Sequence, residues 1–383
     1  MAISVGVVVA NLYYVQPILP DIAREFGLSE AQAGLLPMLG MAGVGIGQVL
    51  FVPLGDIRER RKLMLSLILA CAFLLAMNAI AMNGTWMMIA TFLLGMSTAS
   101  NHITIPFAAH LASPGQRGRV VGTVISGLLI GILASRAWSG WIGEEFGWRA
   151  VFWIGTVIML SLAVLLLRFL PRSEPTMKMT YPQLLASAVP LWRNLPVLRE
   201  SVLVNAVMFG VFNGFWTAMV FFVEGPPYFY TSKGAGMFSL IGAAGAMCAP
   251  IAGRLADKRG GRESVLVAIL TTIAAFLVMG LFGTNLGGFI VGIILLDLAT
   301  QFGHVTNLTR IYAPAPEARS RLNMIYMTFS FSGGAIGSVT CVYVWTIWGW
   351  WGVCGFSLAA LISMLLAWWW LSSRHRAADA AAA

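Results

Sequence analysis

Long apolar stretches separated by short polar breaks are the main pattern along the chain. Most stretches are about 20 residues long, which is the length a helix needs to cross the hydrocarbon core of a bilayer. Counting apolar windows between charged, glycine or proline breaks predicts twelve spanning helices. The predicted spans are 1–19, 31–54, 63–82, 85–111, 119–142 and 149–170, then 201–223, 234–255, 263–283, 286–312, 321–346 and 350–372.

The longest polar segment lies between the sixth and seventh spans. It contains Pro175, Pro182, Pro190 and Pro196 and predicts a linker with one short interfacial helix at "YPQLLASAV". We therefore expect four parts. They are an N-terminal six-helix bundle at 1–170, a cytoplasmic linker at 171–200, a C-terminal six-helix bundle at 201–373 and a cytoplasmic tail at 374–383.

Composition supports an all-α membrane protein. Of the 383 residues, 58% are hydrophobic and only 10% are charged, whereas soluble domains carry about 25% charged residues. The net charge of +9 does not indicate nucleic-acid binding, because most of the 24 Lys and Arg lie in short loops between spans. Only Arg24, Arg149 and Lys233 fall on the opposite side, and Arg136 lies within a span. The positive-inside rule then predicts cytoplasmic termini and a multi-pass protein of the bacterial inner membrane.

The remaining chemistry is sparse. All four cysteines fall inside apolar spans without ligand spacing, so we expect neither a metal site nor a disulfide framework. No catalytic or nucleotide-binding motif is present, so an enzyme is not expected. The first stretch lacks a basic n-region and a cleavage site, which favours a true first span over a signal peptide. A start upstream of Met1 stays open, because this span is barely long enough.

The two halves repeat at a shift of about 202 residues. "SPGQRGR" at 113–119 meets "APEARSR" at 315–321, and "FGWRAV" overlays "WGWWGV". Polar residues within the spans match too: Asn11 falls on Asn213 and His102 on His304. Several matches at nearly one shift indicate an internal duplication, and binding between such repeats is a known plan of transporters.

One loop makes a family resemblance specific. "GRLADKRGGR" at 253–262 resembles the signature loop of the major facilitator superfamily, and "VPLGDIRERRK" is a degenerate first copy with Val52, Ile57 and Glu59 at departing positions. The resemblance covers the whole chain. It implies two pseudo-symmetric six-helix bundles that work as a monomer on a small-molecule substrate, without a cofactor other than a proton gradient. It also implies a gating role for Asp56, Arg60, Arg61, Gly253, Asp257, Lys258, Gly260 and Arg262.

A polar stripe interrupts the tenth span. Asp297, Gln301 and His304 are spaced i, i+4 and i+7 and therefore share one face of a helix. A charge at the centre of a spanning helix costs about 2.5–3.5 kcal/mol on insertion scales. The presence of Asp297 there therefore indicates a functional or structural role that offsets this cost. We expect Asp297 and His304 to gain and lose protons; a structural bridge to a basic or polar neighbour is the alternative for Asp297.

In the resembled family the first, fourth, seventh and tenth helices line a central cavity. The resemblance therefore implies substrate contacts for Asn11, Tyr14, His102, Asn213, Trp216 and Gln301. The pairs Asn11/Asn213 and His102/His304 would face one another, with Tyr14 and Trp216 as aromatic walls. For the asparagines, hydrogen bonds to neighbouring helices or backbone are an equally open reading.

Arg136 lies in "GILASRAWSGWIG", in the outer half of the fifth span. Drug:proton antiporters of the family usually have a Gly-Pro pair here, and this chain has Ser135-Arg136 instead. Two accounts stay open. Arg136 either receives an acidic group of the substrate or forms an ion pair with Asp297 or with the outer Glu144 and Glu145.

The resulting functional hypothesis is a secondary active transporter that exports a small organic molecule in exchange for protons. "NLYYVQPILPDIAREFG" resembles the drug and sugar efflux branch of the superfamily. Uptake or symport of an anionic metabolite is the alternative that Arg136 favours. A membrane receptor or a membrane-embedded enzyme is a remote alternative.

Overall fold

A computed structural model describes residues 1–113, 116–173, 179–247, 261–315 and 318–382. Every regular element in these ranges is a helix. The helices are α1 (Ala2–Tyr13), α2 (Leu19–Phe26), α3 (Glu30–Ala33), α4 (Leu35–Phe51), α5 (Leu54–Ile57), α6 (Arg60–Ala79), α7 (Gly84–Ser97), α8 (Ser100–Leu111), α9 (Arg117–Phe146), α10 (Trp148–Phe169), α11 (Tyr181–Ala186), α12 (Ala188–Asn194), α13 (Pro196–Glu224), α14 (Ser232–Met247), α15 (Gly261–Phe282), α16 (Leu286–Tyr312) and α17 (Arg319–Ala382).

Eight helices in the described ranges are long and apolar enough to cross a membrane by themselves, with α3–α5 taken as one continuous helix. The twelve predicted spans map onto the helices once three features are considered. α17 contains two spans, joined at Gly349, where the backbone leaves the helical region. The fourth span is divided between α7 and α8. The first span contains only the short apolar helix α1, and the eighth contains α14, whose described part ends at Met247.

The division between α7 and α8 coincides with a cluster of hydroxyl side chains. The hydroxyl groups of Ser97 and Thr98 donate to the carbonyls of Leu94 and Gly95, at 2.8 and 2.7 Å. Such bonds from side chain to backbone compete with the helical ladder and bend a helix. Pro106 inside α8 removes a further backbone donor. The break falls at the "STAS" sequence at 97–100, in a span that apolar character alone predicts as continuous.

The described chain divides into two compact units. The first unit contains Met1–Leu184 together with Trp216–Leu240, and the second contains Leu185–Phe215 together with Ile241–Ala383. α13 and α14 are therefore each divided between the units. We call Trp216–Leu240, which contains the end of α13, the turn and the start of α14, the hairpin tip. The predicted division into residues 1–170, a linker at 171–200 and 201–373 stays a prediction.

Within the first unit the most extensive helix pairs are α1 with α9, α4 with α7, and α6 with α10. Glycine makes these contacts close. A Cβ atom at Gly43 would lie 2.1 Å from the carbonyl oxygen of Phe92, so the backbones of α4 and α7 touch. Small residues at helix crossings are how membrane helices approach each other closely. In the second unit α15 packs most extensively against α16.

The backbone confirms the duplication at the last helix pair of each half. Gly147 joins α9 to α10 with φ of 81°, and Gly349 divides α17 with φ of 59°. These two glycines are 202 residues apart, and both need the left-handed region that glycine adopts without strain. The tryptophan after each one, Trp148 or Trp350, is buried.

The first helix of each half does not obey the same shift. A Cβ atom at Gly131 would lie 2.3 Å from the Gly6 carbonyl oxygen, and one at Gly337 would lie 2.0 Å from that of Gly210. Gly131 and Gly337 are 206 residues apart, four more than the repeat shift of 202. Four residues are about one helical turn, so these two glycines lie on the same face of their helices. Gly6 and Gly210 differ by 204. Two residues correspond to about 200° around a helix, so the predicted equivalence of Asn11 and Asn213 is wrong.

Candidate transport site

Asp297 lies at a crossing of two helices in the second unit. Its side chain is 2% exposed, and a Cβ atom at Gly242 of α14 would lie 2.8 Å from Asp297 Oδ2. The corresponding crossing in the first unit joins α4 and α7, where a Cβ atom at Gly95 would lie 2.1 Å from the Gly40 carbonyl oxygen. Gly40 and Gly242 are 202 residues apart, as are Gly95 and Asp297. A carboxyl group thus replaces a hydrogen atom at the same crossing.

The rest of the polar stripe becomes more exposed along α16. Gln301 and His304 are half-buried, whereas Asp297 is buried. The His304 ring lies against Tyr326 of α17, with ring centroids 5.5 Å apart. The Tyr326 hydroxyl lies 3.5 Å from His304 Nδ1, and which of the two donates depends on the tautomer of the imidazole. The stripe therefore runs from a buried carboxyl group to a half-buried imidazole ring.

Arg136 is 1% exposed and lies in α9 of the first unit. Its Nε donates to Gln16 Oε1 at 2.7 Å. Its guanidinium carbon lies 4.6 Å from the ring centroid of Tyr13 and 4.4 Å from that of Trp216. Aromatic faces at this range attract a cation, by about 2 kcal/mol or more when the site excludes water. This environment is an aromatic and amide enclosure, which neither account from the sequence anticipated.

The residues predicted to bind substrate make different kinds of contact and are not gathered in one place. Asn11 donates to Met159 Sδ of α10 at 3.2 Å, whereas Asn213 donates to the Phe209 carbonyl in its own helix at 2.9 Å. Tyr14 stacks at a tilt on Trp138, with centroids 5.0 Å apart. His102 is buried in the first unit. Trp216 faces Arg136 and so belongs to a contact within the first unit.

The signature-loop residues are described only in part. Asp56 and Arg60 form a mostly buried ion pair at 3.2 Å, and Arg60 Nε also donates to the Gly55 carbonyl at 2.9 Å. Arg61 donates to the Leu167 carbonyl, joining the start of α6 to the end of α10. In the second copy Arg262 lies 5.2 Å from the Trp368 ring centroid. Gly253, Asp257, Lys258 and Gly260 lie outside the described residues.

Sequence reasoning missed three partners. Gln16 and Tyr13 complete the enclosure of Arg136, and Gly242 faces Asp297. The position of Gly242 could have been predicted from the sequence, because the repeat aligns it with Gly40. Gln16 could be noticed only as a second amide, beside Asn11, in the first apolar span. Within the described residues, no group of three or more His, Cys, Asp or Glu side chains could hold a metal ion.

Comparison with known proteins agrees with this architecture. The sequence profile of the Major Facilitator Superfamily matches residues 1–338. The chain is 39% identical over 379 residues to "Uncharacterized transporter YgaY" of Escherichia coli O157:H7, covering 99% of this chain and 96% of that protein. It is 30% identical to "Probable transporter SCO4007" of Streptomyces coelicolor, covering 94% and 84%.

Solved structures show the same fold. A bacterial homolog of the human lysosomal transporter Spinster, in an inward-facing and unoccupied conformation, superposes with a TM-score of 0.74 at 16% identity, covering 97% of this chain and 95% of that one. The predicted fold class is thereby confirmed: an all-α membrane protein with the twelve-helix fold of two six-helix bundles. The chain belongs to the major facilitator superfamily and is a membrane transporter of that type.

Proposed function

We propose that the protein exports a small organic molecule across the bacterial inner membrane in exchange for protons, as a monomer with cytoplasmic termini. Asp297 is the group that carries the proton. One observation supports this proposal above the others: the carboxyl group occupies a crossing that packs with glycine in the other half. Packing alone does not require an acid there, and a buried acid is costly in a membrane. Such intramembrane acids are typical of proton relays.

Gln301 and His304 extend this site. They lie on the same face of α16 as Asp297 and are half-buried, and in this proposal they pass the proton along that face. One elementary charge moving through about 100 mV releases about 2.3 kcal/mol, enough to support roughly a fiftyfold substrate gradient. The arrangement of Arg136 gives less support to uptake of an anion, because its guanidinium is enclosed by Gln16, Tyr13 and Trp216.

Everted membrane vesicles test the proposal. A panel of antimicrobial and metabolic compounds is first screened for growth inhibition of a deletion strain. Each active compound is then added to vesicles with an acid interior, and a fluorescent pH indicator follows the gradient. Wild-type vesicles should lose part of the gradient on addition, and vesicles with Asp297→Asn should not.

Asp297→Gly is the matched folding control, because glycine fills the same position in the first unit. It should give well-folded protein that moves no protons. His304→Gln should shift the pH at which transport is fastest. If Asp297→Asn collapses the gradient as fast as the wild type, proton transfer at Asp297 is excluded and the carboxyl group is structural.

A further inference from the structure

One face of the first span in α17 is directed to lipid. Phe329, Ile336 and Tyr343 are spaced by seven residues, so they lie on one face of the helix. Their exposed fractions are 42%, 64% and 58%. A row of large, exposed apolar side chains on a spanning helix marks a surface that contacts the bilayer. Phe329 is the member of this row nearest Arg319, where α17 begins.

The linker helix α12 covers the end of this row at Phe329. The Trp192 ring stacks on the Phe329 ring, with centroids 5.1 Å apart and an angle of 9° between the planes. Leu191 and Leu195 pack against an apolar cluster that joins the start of α13, including Leu198, to the first turns of α17. Tryptophan is enriched where acyl chains meet headgroups, because its ring is apolar and its N–H is polar. α12 therefore lies at the level of the lipid headgroups.

The exposed side chains around this cluster combine apolar surface with cations. Val189 and Arg193 are four residues apart in α12, so they share a face, and both are exposed. Arg199 is exposed in the first turn of α13. Arg319 is exposed at the start of α17, with its guanidinium carbon 5.8 Å from the ring centroid of Tyr312, which packs against the same cluster. Three arginines thus border one apolar cluster.

Arg193 and Arg199 carry positive charge that no acid of the described ranges pairs with. Neither forms an ion pair with a described residue. Glu200 is the only acid in the sequence between residues 185 and 215. It is 6% exposed and pairs with Arg310 at 3.1 Å. The charge at the headgroup level therefore suits phosphate oxygens, to which a guanidinium donates two parallel hydrogen bonds.

We propose that Trp192, Arg193 and Arg199 form a binding surface for an anionic phospholipid. The arginines bind the phosphate, and the Trp192 ring on Phe329 lies beside the first part of the acyl chains. The occupant is a lipid and not a free phosphate ion, because the exposed apolar surface at Val189 and Phe329 is used only by acyl chains. The proposal depends on neither export nor proton transfer at Asp297, so failure of either proposal leaves the other standing.

Native mass spectrometry of the detergent-purified protein tests the surface. Phosphatidylglycerol and phosphatidylcholine with the same acyl chains are titrated separately, and the peak intensities give the apparent Kd of each lipid. The wild type should bind phosphatidylglycerol about tenfold or more tightly, since each arginine near a lipid surface contributes about fivefold. Arg193→Gln combined with Arg199→Gln should reduce this preference to about twofold or less.

Arg168→Gln combined with Arg172→Gln is the matched control. It removes the same charge from two exposed arginines of the first unit and should leave the preference within about twofold of the wild type. All four arginines are exposed, so neither double variant should affect folding. Equal losses in the two double variants would assign the preference to general surface charge and overturn the proposal. Competition by an excess of inorganic phosphate would also overturn it, because a site for the free ion needs no lipid.

Spin labelling measures the depth of α12 independently. In a background without the four native cysteines, a nitroxide is attached at Val189→Cys, and the protein is placed in liposomes of the two lipids. Oxygen, which dissolves in acyl chains, should relax this label more than a water-soluble nickel chelate does. A label at Lys62→Cys, where the native side chain is 82% exposed, is the reference for contact with water. The proposal is overturned if the label at Val189→Cys favours the nickel chelate as strongly as the reference.

Discussion

The two halves build the same helix crossing in two ways. In the first unit Gly40 and Gly95 bring the backbones of α4 and α7 into direct contact. In the second unit Gly242 is retained, and Asp297 places a carboxyl group where Gly95 has a hydrogen atom. A duplicated fold therefore provides its own reference state: the first copy shows what packing requires, and the second shows what was added. The added group is the carboxyl group to which we assign proton transfer in the proposed function.

The largest expected loss of stability comes from a substitution at the glycine crossing of α4 and α7. Gly95→Ala places a methyl group 2.1 Å from the Gly40 carbonyl oxygen, and backbone atoms cannot move aside as a side chain can. We expect a loss toward the upper end of about 1–3 kcal/mol in the free energy of unfolding. Thermal unfolding with a thiol-reactive dye measures it, because Cys71, Cys341 and Cys354 are buried until the protein unfolds.

Gly122→Ala is the matched control for Gly95→Ala. It makes the same chemical change in a membrane helix, and a Cβ atom there would meet nothing within 4 Å. Its unfolding temperature should equal or exceed that of the wild type, because alanine favours a helix more than glycine does. Equal behaviour of the two variants would show that the α4–α7 contact is not as close as described.

A smaller loss of stability is expected at the corresponding crossing in the second unit, where Gly242 faces Asp297. Gly242→Ala directs a methyl group to within 2.8 Å of Asp297 Oδ2, a side-chain atom that can give way, so we expect a loss of about 1 kcal/mol. Asp297→Gly in the same chain should restore the lost stability, because it recreates the packing of the first unit without the carboxyl group. A double-mutant cycle on the same unfolding assay measures this coupling. If the two effects are additive, Gly242 and Asp297 do not interact, and the described contact between them is wrong.

The smallest effect contrasts a carboxylate outside the membrane spans with the buried Asp297. Burial would raise the pKa of Glu25, but hydrogen bonds from Arg149 and Trp148 and the charge of Arg149 together lower it. A lowered pKa in the folded state stabilises the protein above the unfolded pKa of about 4.3, and this contribution is lost as pH falls through the folded value.

Glu25→Gln should therefore lower the unfolding temperature at about pH 7, and this lowering should shrink as the pH falls below about 4.3. The difference in free energy should stay below about 1 kcal/mol, because both partners are partly exposed. High salt should reduce it further. A difference that persists unchanged at low pH would assign the effect to packing of the side chain and not to its charge.

Much of the fold followed from the sequence, because a bilayer leaves a chain few alternatives. Backbone groups in lipid must be paired within a helix, so apolar stretches of sufficient length predict the elements directly. The break at Ser97 and Thr98 was not predicted, because the apolar pattern continues across it. The joints at Gly147 and Gly349 fall where the repeat places them.

By itself the sequence determined the helical membrane fold, the duplication and the presence of an acidic residue, Asp297, inside a spanning helix. Only the tertiary structure decided that Gly242 faces that acid, that Asn11 and Asn213 lie on different faces, and that Arg136 is enclosed by Gln16, Tyr13 and Trp216. The physical reason is geometric. Periodicity reports which residues share a face of one helix, but a rotation of about 200° between paired helices changes every partner and leaves the periodicity unaltered.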